Sequence, residues 1–180
     1  MNALQALWLA YLSQPAGDRI LYRTIRKRRV RRILEIGVGD GLRAGRMIRL
    51  AQRYHGAASV RYAGVDLFEA QPATAGPAML LKNAYRMLRA TGAMIHLLPG
   101  DPLEAVARSA NSLSGNELVI VATNEDAAAL GRAWFYLPRM LTPNALVYIA
   151  QSTPEQTSWR LIPAAELELL ASQGSRRRAA

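Results

Sequence analysis

Three glycines at alternate positions follow a short apolar run, and they are the first residues in this chain that suggest chemistry. They are Gly37, Gly39 and Gly41. Glycine adopts backbone conformations that other residues avoid, and it lets another molecule approach the main chain closely. Because a helical pattern begins at Leu42, the stretch predicts a buried strand, a tight turn and a helix. This order predicts a small-molecule site beyond the carboxyl end of a strand.

Two carboxylates near this turn restrict the ligand it could hold. Glu35 precedes the glycines and Asp40 lies between the second and the third. A dinucleotide-binding turn places its third glycine three residues after the second, where this chain has Leu42. A pyrophosphate beside two carboxylates would also cost Coulomb energy, whereas a cationic or zwitterionic ligand would not. The residues therefore argue against NAD and the nucleotide phosphates.

Two further acids follow later predicted strands. Asp66 ends the second strand and Asp101 follows the third. Since the carboxyl ends of parallel strands share one edge of a sheet, we expect both acids near the glycine turn. Asp101 precedes Pro102, which is also the pattern of a helix N-cap followed by proline at the first helical position. Asp101 is therefore a candidate to contact a ligand near the glycine turn, to cap a helix, or to do both.

The glycine turn resembles the first motif of the class I S-adenosylmethionine-dependent methyltransferases. The resemblance covers residues 20–150, roughly the span from the second helix to the fifth strand. It implies a Rossmann-like fold, S-adenosylmethionine as the cofactor and methyl transfer as the activity. It also implies that the turn lies against the methionine part of the cofactor, that Asp66 holds the ribose hydroxyls and that Asp101 contacts the adenine amine. The predicted cofactor-binding residues are Glu35, Gly37, Gly39, Gly41, Asp66 and Asp101.

The methyl acceptor and the catalytic residues are not identified by the sequence. The segment after the fourth strand, Thr123 to Asp126, lacks the aromatic tetrapeptide of amino-group methyltransferases, and its two acids suit the first turn of a helix. No residue pattern predicts a metal site. Two alternatives stay open: a non-catalytic methyltransferase-like binding protein, and an RNA-associated protein that uses the basic cluster between Arg26 and Arg32.

Charge is distributed unevenly along the 180 residues. The net charge is +10, and residues 1–32 carry eight Lys and Arg against one acid, a net +7. This excess would suit nucleic acid or, more simply, a solvated helix end. Cysteine is absent, which excludes disulfides and thiolate chemistry and is compatible with the cytoplasm. We expect a cytoplasmic protein with no signal peptide, no spanning segment and no membrane partner, and leave its oligomeric state open.

Alternating strands and helices predict an α/β fold: a three-layer, doubly wound, mostly parallel sheet of five to six strands. We expect a single domain over 1–180, with N-terminal helices over 1–31, a cofactor-binding core over 32–150 and a disordered tail over 172–180. The chain is C-terminally shortened relative to the resembling family, with one recognisable strand after the fifth. The predicted strands are 32–36, 60–66, 94–98, 118–122, 145–149 and 159–162.

Several side chains receive structural roles from the pattern alone. The first helix is predicted to bury Leu4, Leu7, Trp8 and Tyr11, which share one helical face. Asp18 is the predicted N-cap of the second helix. Further predictions are a helix that turns Arg43, Arg46, Arg49 and Arg53 outward, a buried His96 and a turn over 142–144.

Overall fold

One six-stranded sheet forms the centre of the molecule. The computed structural model describes residues 1–72, 79–122, 130–131, 133–152 and 157–176. Within these residues the strand order is β3-β2-β1-β4-β5-β6; β1 to β5 run parallel, and β6 is antiparallel to β5. The strands are β1 Arg32–Ile36, β2 Arg61–Asp66, β3 Met94–Pro99, β4 Asn116–Val121, β5 Leu141–Ser152 and β6 Thr157–Ile162.

Helices cover both faces of this sheet and create two hydrophobic cores. The α-helices are α1 Ala3–Tyr11, α2 Arg19–Arg28, α3 Leu42–Gln52, α4 Leu81–Arg89, α5 Pro102–Ser109, α6 Ala133–Tyr136 and α7 Ala164–Arg176. Helices α1 to α4 pack into one core, and α5 to α7 pack into the other. Strands β1 and β4 are buried on both faces, as their continuous apolar sequences predict. The predicted three-layer α/β architecture is confirmed.

The first helix forms where it was predicted, but it buries the opposite face. Ala6, Leu9 and Ala10 are buried against α2 and α3. Leu4, Leu7, Trp8 and Tyr11 are exposed, so the predicted orientation is wrong. Both faces of α1 are apolar, and hydrophobic periodicity alone does not distinguish them. The face with the small alanines packs inward, which lets α1 approach its neighbours closely.

The fifth strand contains the segment that the sequence predicts to be a turn. The ladder between β4 and β5 pairs Asn116 with Leu141 and then Leu118 with Leu146, so the register shifts between these pairs. Residues 142–145 thus form an irregularity inside a twelve-residue strand rather than the turn that ends a helix. Pro143 lies in this segment and has no N–H to donate to the ladder, which is consistent with the shift.

The C-terminal segment is more ordered than predicted. Helix α7 extends to Arg176, so the prediction of a disordered tail is wrong for residues 172–176, while 177–180 lie outside the described residues. At Gly174 an added Cβ would lie 3.1 Å from the Phe135 backbone nitrogen, so the absence of a side chain permits close packing on α6. The predicted strand at Trp159 is confirmed as part of β6. Among the described helices, none combines the length and apolarity that crossing a bilayer requires.

Candidate functional site

The glycine turn joins the centre of the sheet to α3. Its three glycines have positive φ angles: 91° at Gly37, 61° at Gly39 and 72° at Gly41, the last being the N-cap of α3. The Gly37 N–H donates to the Val65 carbonyl at 2.8 Å, and the Ala122 N–H donates to the Ile36 carbonyl at 2.7 Å. The turn is therefore attached to both neighbouring strands, β2 and β4, at their carboxyl ends.

Gly37 and Gly39 need to be glycine for different reasons. A Cβ added at Gly37 would lie 3.0 Å from the carbonyl carbon of Ala122, so here the protein itself fills the space. A Cβ added at Gly39 would meet nothing within 4 Å in the part of the chain that the structure describes. The backbone of Gly39 is exposed and faces open space, which is what close approach by a ligand requires.

Alanine substitutions should separate these two reasons. Gly39→Ala is expected to cost about 1–2 kcal/mol of unfolding free energy, because an L-residue is strained at positive φ. Gly37→Ala carries the same strain plus a contact with the β4 backbone, and should cost at least about 1 kcal/mol more. Urea unfolding followed by circular dichroism measures both variants. Equal costs would contradict the assignment of open space to Gly39.

Asp66 ends β2 beside this turn, and backbone amides hold its side chain. Its Oδ2 accepts from the Gly39 N–H at 2.8 Å, and its Oδ1 accepts from the Phe68 N–H at 3.4 Å. The sequence predicts that Asp66 lies near the turn, and the Gly39 contact places it there. The direct amide link was not predicted.

Phe68 is a site residue that the sequence did not suggest. Its φ is 51°, an uncommon value for an aromatic residue, and its ring is buried against Val38 and Ala84. The ring therefore packs against the buried side of the glycine turn, and the Phe68 N–H points towards the Asp66 carboxylate. The one sequence signal is the pair of large apolar residues, Leu67 and Phe68, directly after a strand end.

Asp101 lies one strand further along the same edge. The Gly100 N–H donates to the Asp66 carbonyl at 2.9 Å, so the loop after β3 is attached to the end of β2. The Asp101 Oδ1 accepts from the Leu103 and Glu104 N–H groups, at 2.9 and 3.1 Å, and Pro102 begins α5. The predicted N-cap is thereby confirmed. Its Oδ2 takes no part in this cap, and its role towards a ligand stays a prediction.

Glu35 lies below the turn rather than on its surface. Its carboxylate is fully buried; Oε1 accepts from Arg43 Nε at 2.5 Å, and Oε2 accepts from the Tyr62 hydroxyl. Burial raises the pKa of Glu35, and Arg43 and Tyr62 act in the opposite direction. Burial lowers the pKa of Arg43, but the nearby Glu35, Asp18 and Tyr62 together raise it, and the net pKa is above its usual value. Both Glu35 oxygens have partners within the protein, and the role of Glu35 in cofactor binding stays a prediction.

Arg43 links the buried Glu35 carboxylate to the glycine turn. Its Nη2 donates to the Gly37 carbonyl at 2.9 Å, and its guanidinium lies 5.0 Å from the centre of the Trp159 ring. The expectation that Arg43 faces outward is wrong, because a residue in the first helical turn points its side chain back towards the strand end. The Trp159 indole N–H donates to Asp18 Oδ1 at 3.0 Å. Asp18 therefore occupies the N-cap position of α2 without capping it, which corrects that prediction.

The surface of the site is rich in carboxylates. Asp40 and Asp101 are exposed and Asp66 is half-buried, all at the carboxyl ends of the strands. The Asp40 side chain accepts from the Leu42 N–H at 2.9 Å, across the third glycine. Among the described residues, no cluster of three or more His, Asp or Glu side chains is arranged to hold a metal ion. This edge is suited to hydroxyl, amine or sulfonium groups rather than to phosphate.

A groove lies at the opposite end of the strands from the glycine turn. It has a volume of about 250 Å³ and is lined by Arg32, Arg61 and His96, among others. His96 is exposed there, so the prediction of a buried histidine is wrong. The groove is at the amino ends of the strands, far from the glycine turn along the strand direction. It is not part of the site described above.

Comparison with solved structures identifies the fold. The chain matches the O-methyltransferase TomG of Streptomyces achromogenes, involved in tomaymycin synthesis and solved in complex with SAM, at a TM-score of 0.54 and 15% identity, over 100% of this chain and 80% of that one. It matches a proposed caffeoyl-CoA O-methyltransferase of Staphylococcus aureus at a TM-score of 0.56 and 12% identity. This is the class I methyltransferase fold. A third match is a proposed protein-L-isoaspartate O-methyltransferase of Plasmodium falciparum in complex with S-adenosyl-L-homocysteine. Its TM-score is 0.55 and its sequence identity is 10%.

These similarities lie in the fold and not in the sequence. The Staphylococcus match covers 82% of this chain and 66% of that one, and the Plasmodium match covers 84% and 66%. No family model matches the sequence, and no curated protein matches it either. The overall fold is therefore the property that this chain shares with these methyltransferases.

Proposed function

We propose that this chain binds S-adenosylmethionine at the glycine turn and is a methyltransferase. The observation that carries the proposal is the exposed Gly39 backbone, which faces open space and is attached directly to Asp66. A turn with no side chain at Gly39, and with the Asp66 carboxylate beside it, accommodates a ligand with amine, sulfonium and ribose hydroxyl groups. The methyltransferase fold and the complexes of its neighbours with SAM and S-adenosyl-L-homocysteine support this assignment.

The residues present fit the cofactor that the fold implies. Asp66 is the residue for the ribose hydroxyls, because its carboxylate accepts from two backbone N–H groups and is therefore held in one orientation. Asp101 is the residue for the adenine amine, through the oxygen that takes no part in the helix cap. Gly39 provides the open surface for the methionine part, and Gly37 and Gly41 give the turn the backbone conformation that exposes it. Glu35 acts through Arg43, which fixes the Gly37 carbonyl.

The chemistry at this site requires positioning above all. S-adenosylmethionine supplies an electrophilic methyl group, which a nucleophile takes while S-adenosylhomocysteine is released. Holding the two reactants in line can provide much of the rate enhancement without a dedicated base. The carboxylates Asp40, Asp66 and Asp101 favour the binding of a cation at this edge of the sheet.

A methyl-transfer assay tests the activity. The chain is incubated with radiolabelled S-adenosylmethionine and a cell extract as the acceptor pool, with Gly39→Ala as the matched control that keeps the fold. We expect label in macromolecules or small molecules that exceeds the Gly39→Ala background at least tenfold. Binding of the cofactor without any incorporation would reject the methyltransferase and favour a non-catalytic binding protein.

A further inference from the structure

The outward face of α1 is apolar throughout. The large side chains on this face and just beyond it are exposed by 76%, 40%, 49%, 49% and 65%, in the order Leu4, Leu7, Trp8, Tyr11 and Leu12. We call these five residues the α1 ridge. Single exposed apolar residues are ordinary on a protein surface, but a contiguous group of this kind marks a binding surface.

Arginines from α2 and α3 surround the α1 ridge. The guanidinium of Arg26 lies 5.8 Å from the centre of the Tyr11 ring and donates to its hydroxyl at 3.2 Å. Three further arginines donate to backbone carbonyls at the two ends of the helix: Arg19 to Ser13, Arg46 to Gln14 and Arg53 to Met1. On α2, Arg23 and Lys27 are also exposed. The apolar ridge therefore has basic side chains at both of its ends, and we call these the arginine rim.

Acidic side chains are rare in residues 1–65, which include α1 and the two helices that follow it. Residues 1–65 include 13 Lys and Arg but only 3 Asp and Glu. Two of these acids, Asp18 and Glu35, are buried, and the third, Asp40, lies in the glycine turn. An apolar helix face with exposed aromatic residues, beside basic side chains from the neighbouring segments, is a surface suited to a membrane interface.

We propose that the α1 ridge and its arginine rim bind the surface of bilayers that contain anionic phospholipids. Leucines on the ridge would enter the acyl boundary, while Trp8 and Tyr11 suit the headgroup level, where amphipathic rings are favoured. The arginines would pair with lipid phosphates, each contributing to the attraction of an anionic surface. This surface revises the expectation of no membrane partner, because peripheral contact needs no spanning helix. It is independent of the function proposed for the glycine turn.

Charge and shape favour a lipid surface over two other occupants. A second copy of the chain would bring two basic rims against each other, and this repulsion would have to be overcome. RNA would pair with the arginines, but its phosphates would gain nothing from Leu4, Leu7 and Leu12. An anionic bilayer satisfies both the apolar and the basic residues at once.

Trp8 provides a specific optical signal for the test. The chain has three tryptophans; Trp134 and Trp159 are exposed by only 2% and 9%, so Trp8 is the exposed one. The chain is mixed with vesicles of equal parts phosphatidylcholine and phosphatidylglycerol, and in parallel with phosphatidylcholine alone. We expect co-sedimentation and a blue shift of the tryptophan emission with the anionic vesicles, and at least tenfold weaker binding to the neutral ones. High salt should weaken the binding, because it screens the arginines.

Paired variants distinguish binding through the α1 ridge from non-specific binding to vesicles. Leu4→Ser/Trp8→Ser should weaken co-sedimentation at least tenfold, whereas Leu169→Ser, which alters a leucine exposed by 57% on α7, should leave it unchanged. Circular dichroism confirms that each variant is folded. Equal binding to neutral and anionic vesicles, or loss of binding in Leu169→Ser alone, would overturn the proposal. So would light scattering that shows a dimer which only the Leu4→Ser/Trp8→Ser variant disrupts.

Discussion

Asp66→Ala is expected to weaken the binding of S-adenosylhomocysteine by about 10- to 100-fold. A hydrogen bond to a charged group contributes about 1.5–3 kcal/mol, and this variant removes the carboxylate that would accept from the ribose. It also removes the acceptor of the Gly39 N–H, so the turn loses the contact that orients it. Isothermal titration calorimetry at neutral pH measures the change.

Two further variants make the Asp66 result interpretable. Asp66→Asn keeps an acceptor for the Gly39 N–H but loses the charge, and we expect an intermediate affinity. Glu104→Gln removes an exposed carboxylate from the first turn of α5, and should change the affinity by less than about threefold because exposed charges are screened. If Asp66→Ala bound as tightly as the unaltered chain, Asp66 would have no part in a nucleoside site.

The second large effect concerns the contact below the turn. Glu35→Gln is expected to cost about 3 kcal/mol of unfolding free energy or more, because removing one partner of a buried ion pair leaves the other uncompensated. Arg43 would retain its hydrogen bond to the Gly37 carbonyl but lose the carboxylate that holds its Nε. Chemical denaturation of the variant and the unaltered chain measures this difference.

The pair on the surface is the matched control for Glu35. The Nη1 of Arg160 lies 2.7 Å from the Oε2 of Glu166, and the two side chains are exposed by 37% and 34%. Breaking an exposed pair typically costs less than about 1 kcal/mol, so Glu166→Gln should be close to neutral. If Glu35→Gln were as mild as Glu166→Gln, the buried pair would not hold the turn, and the indirect role given to Glu35 would fall.

The sequence predicts the sheet and its acids because those features depend on local patterns. The apolar run of β1 is continuous, the glycines interrupt it and α3 follows, so the element order needed no knowledge of the fold. Asp66 could be placed because it ends a strand, and parallel strands bring their carboxyl ends to one edge. The same reasoning anticipated the N-cap at Asp101 from the proline that follows it.

Other features depend on contacts between distant parts of the chain. Periodicity places Arg43 on the polar side of α3, yet its side chain packs inward against Glu35 and Trp159. Trp159 is more than a hundred residues away in the sequence, so this contact could not be predicted from the residues around Arg43. Helix α1 has two apolar faces, and the choice between them depends on how closely α2 and α3 allow it to approach. The irregularity in β5 depends on its pairing with β4, which the proline alone did not reveal.

The central claim is that the glycine turn holds an adenosine-based zwitterion and not a dinucleotide. Parallel calorimetric titrations of the unaltered chain with S-adenosylhomocysteine and with NAD test it most directly. Because Asp40, Asp66 and Asp101 disfavour a pyrophosphate, we expect micromolar binding of S-adenosylhomocysteine and binding of NAD that is at least about a hundredfold weaker. No heat with S-adenosylhomocysteine, or tighter binding of NAD, would contradict the claim.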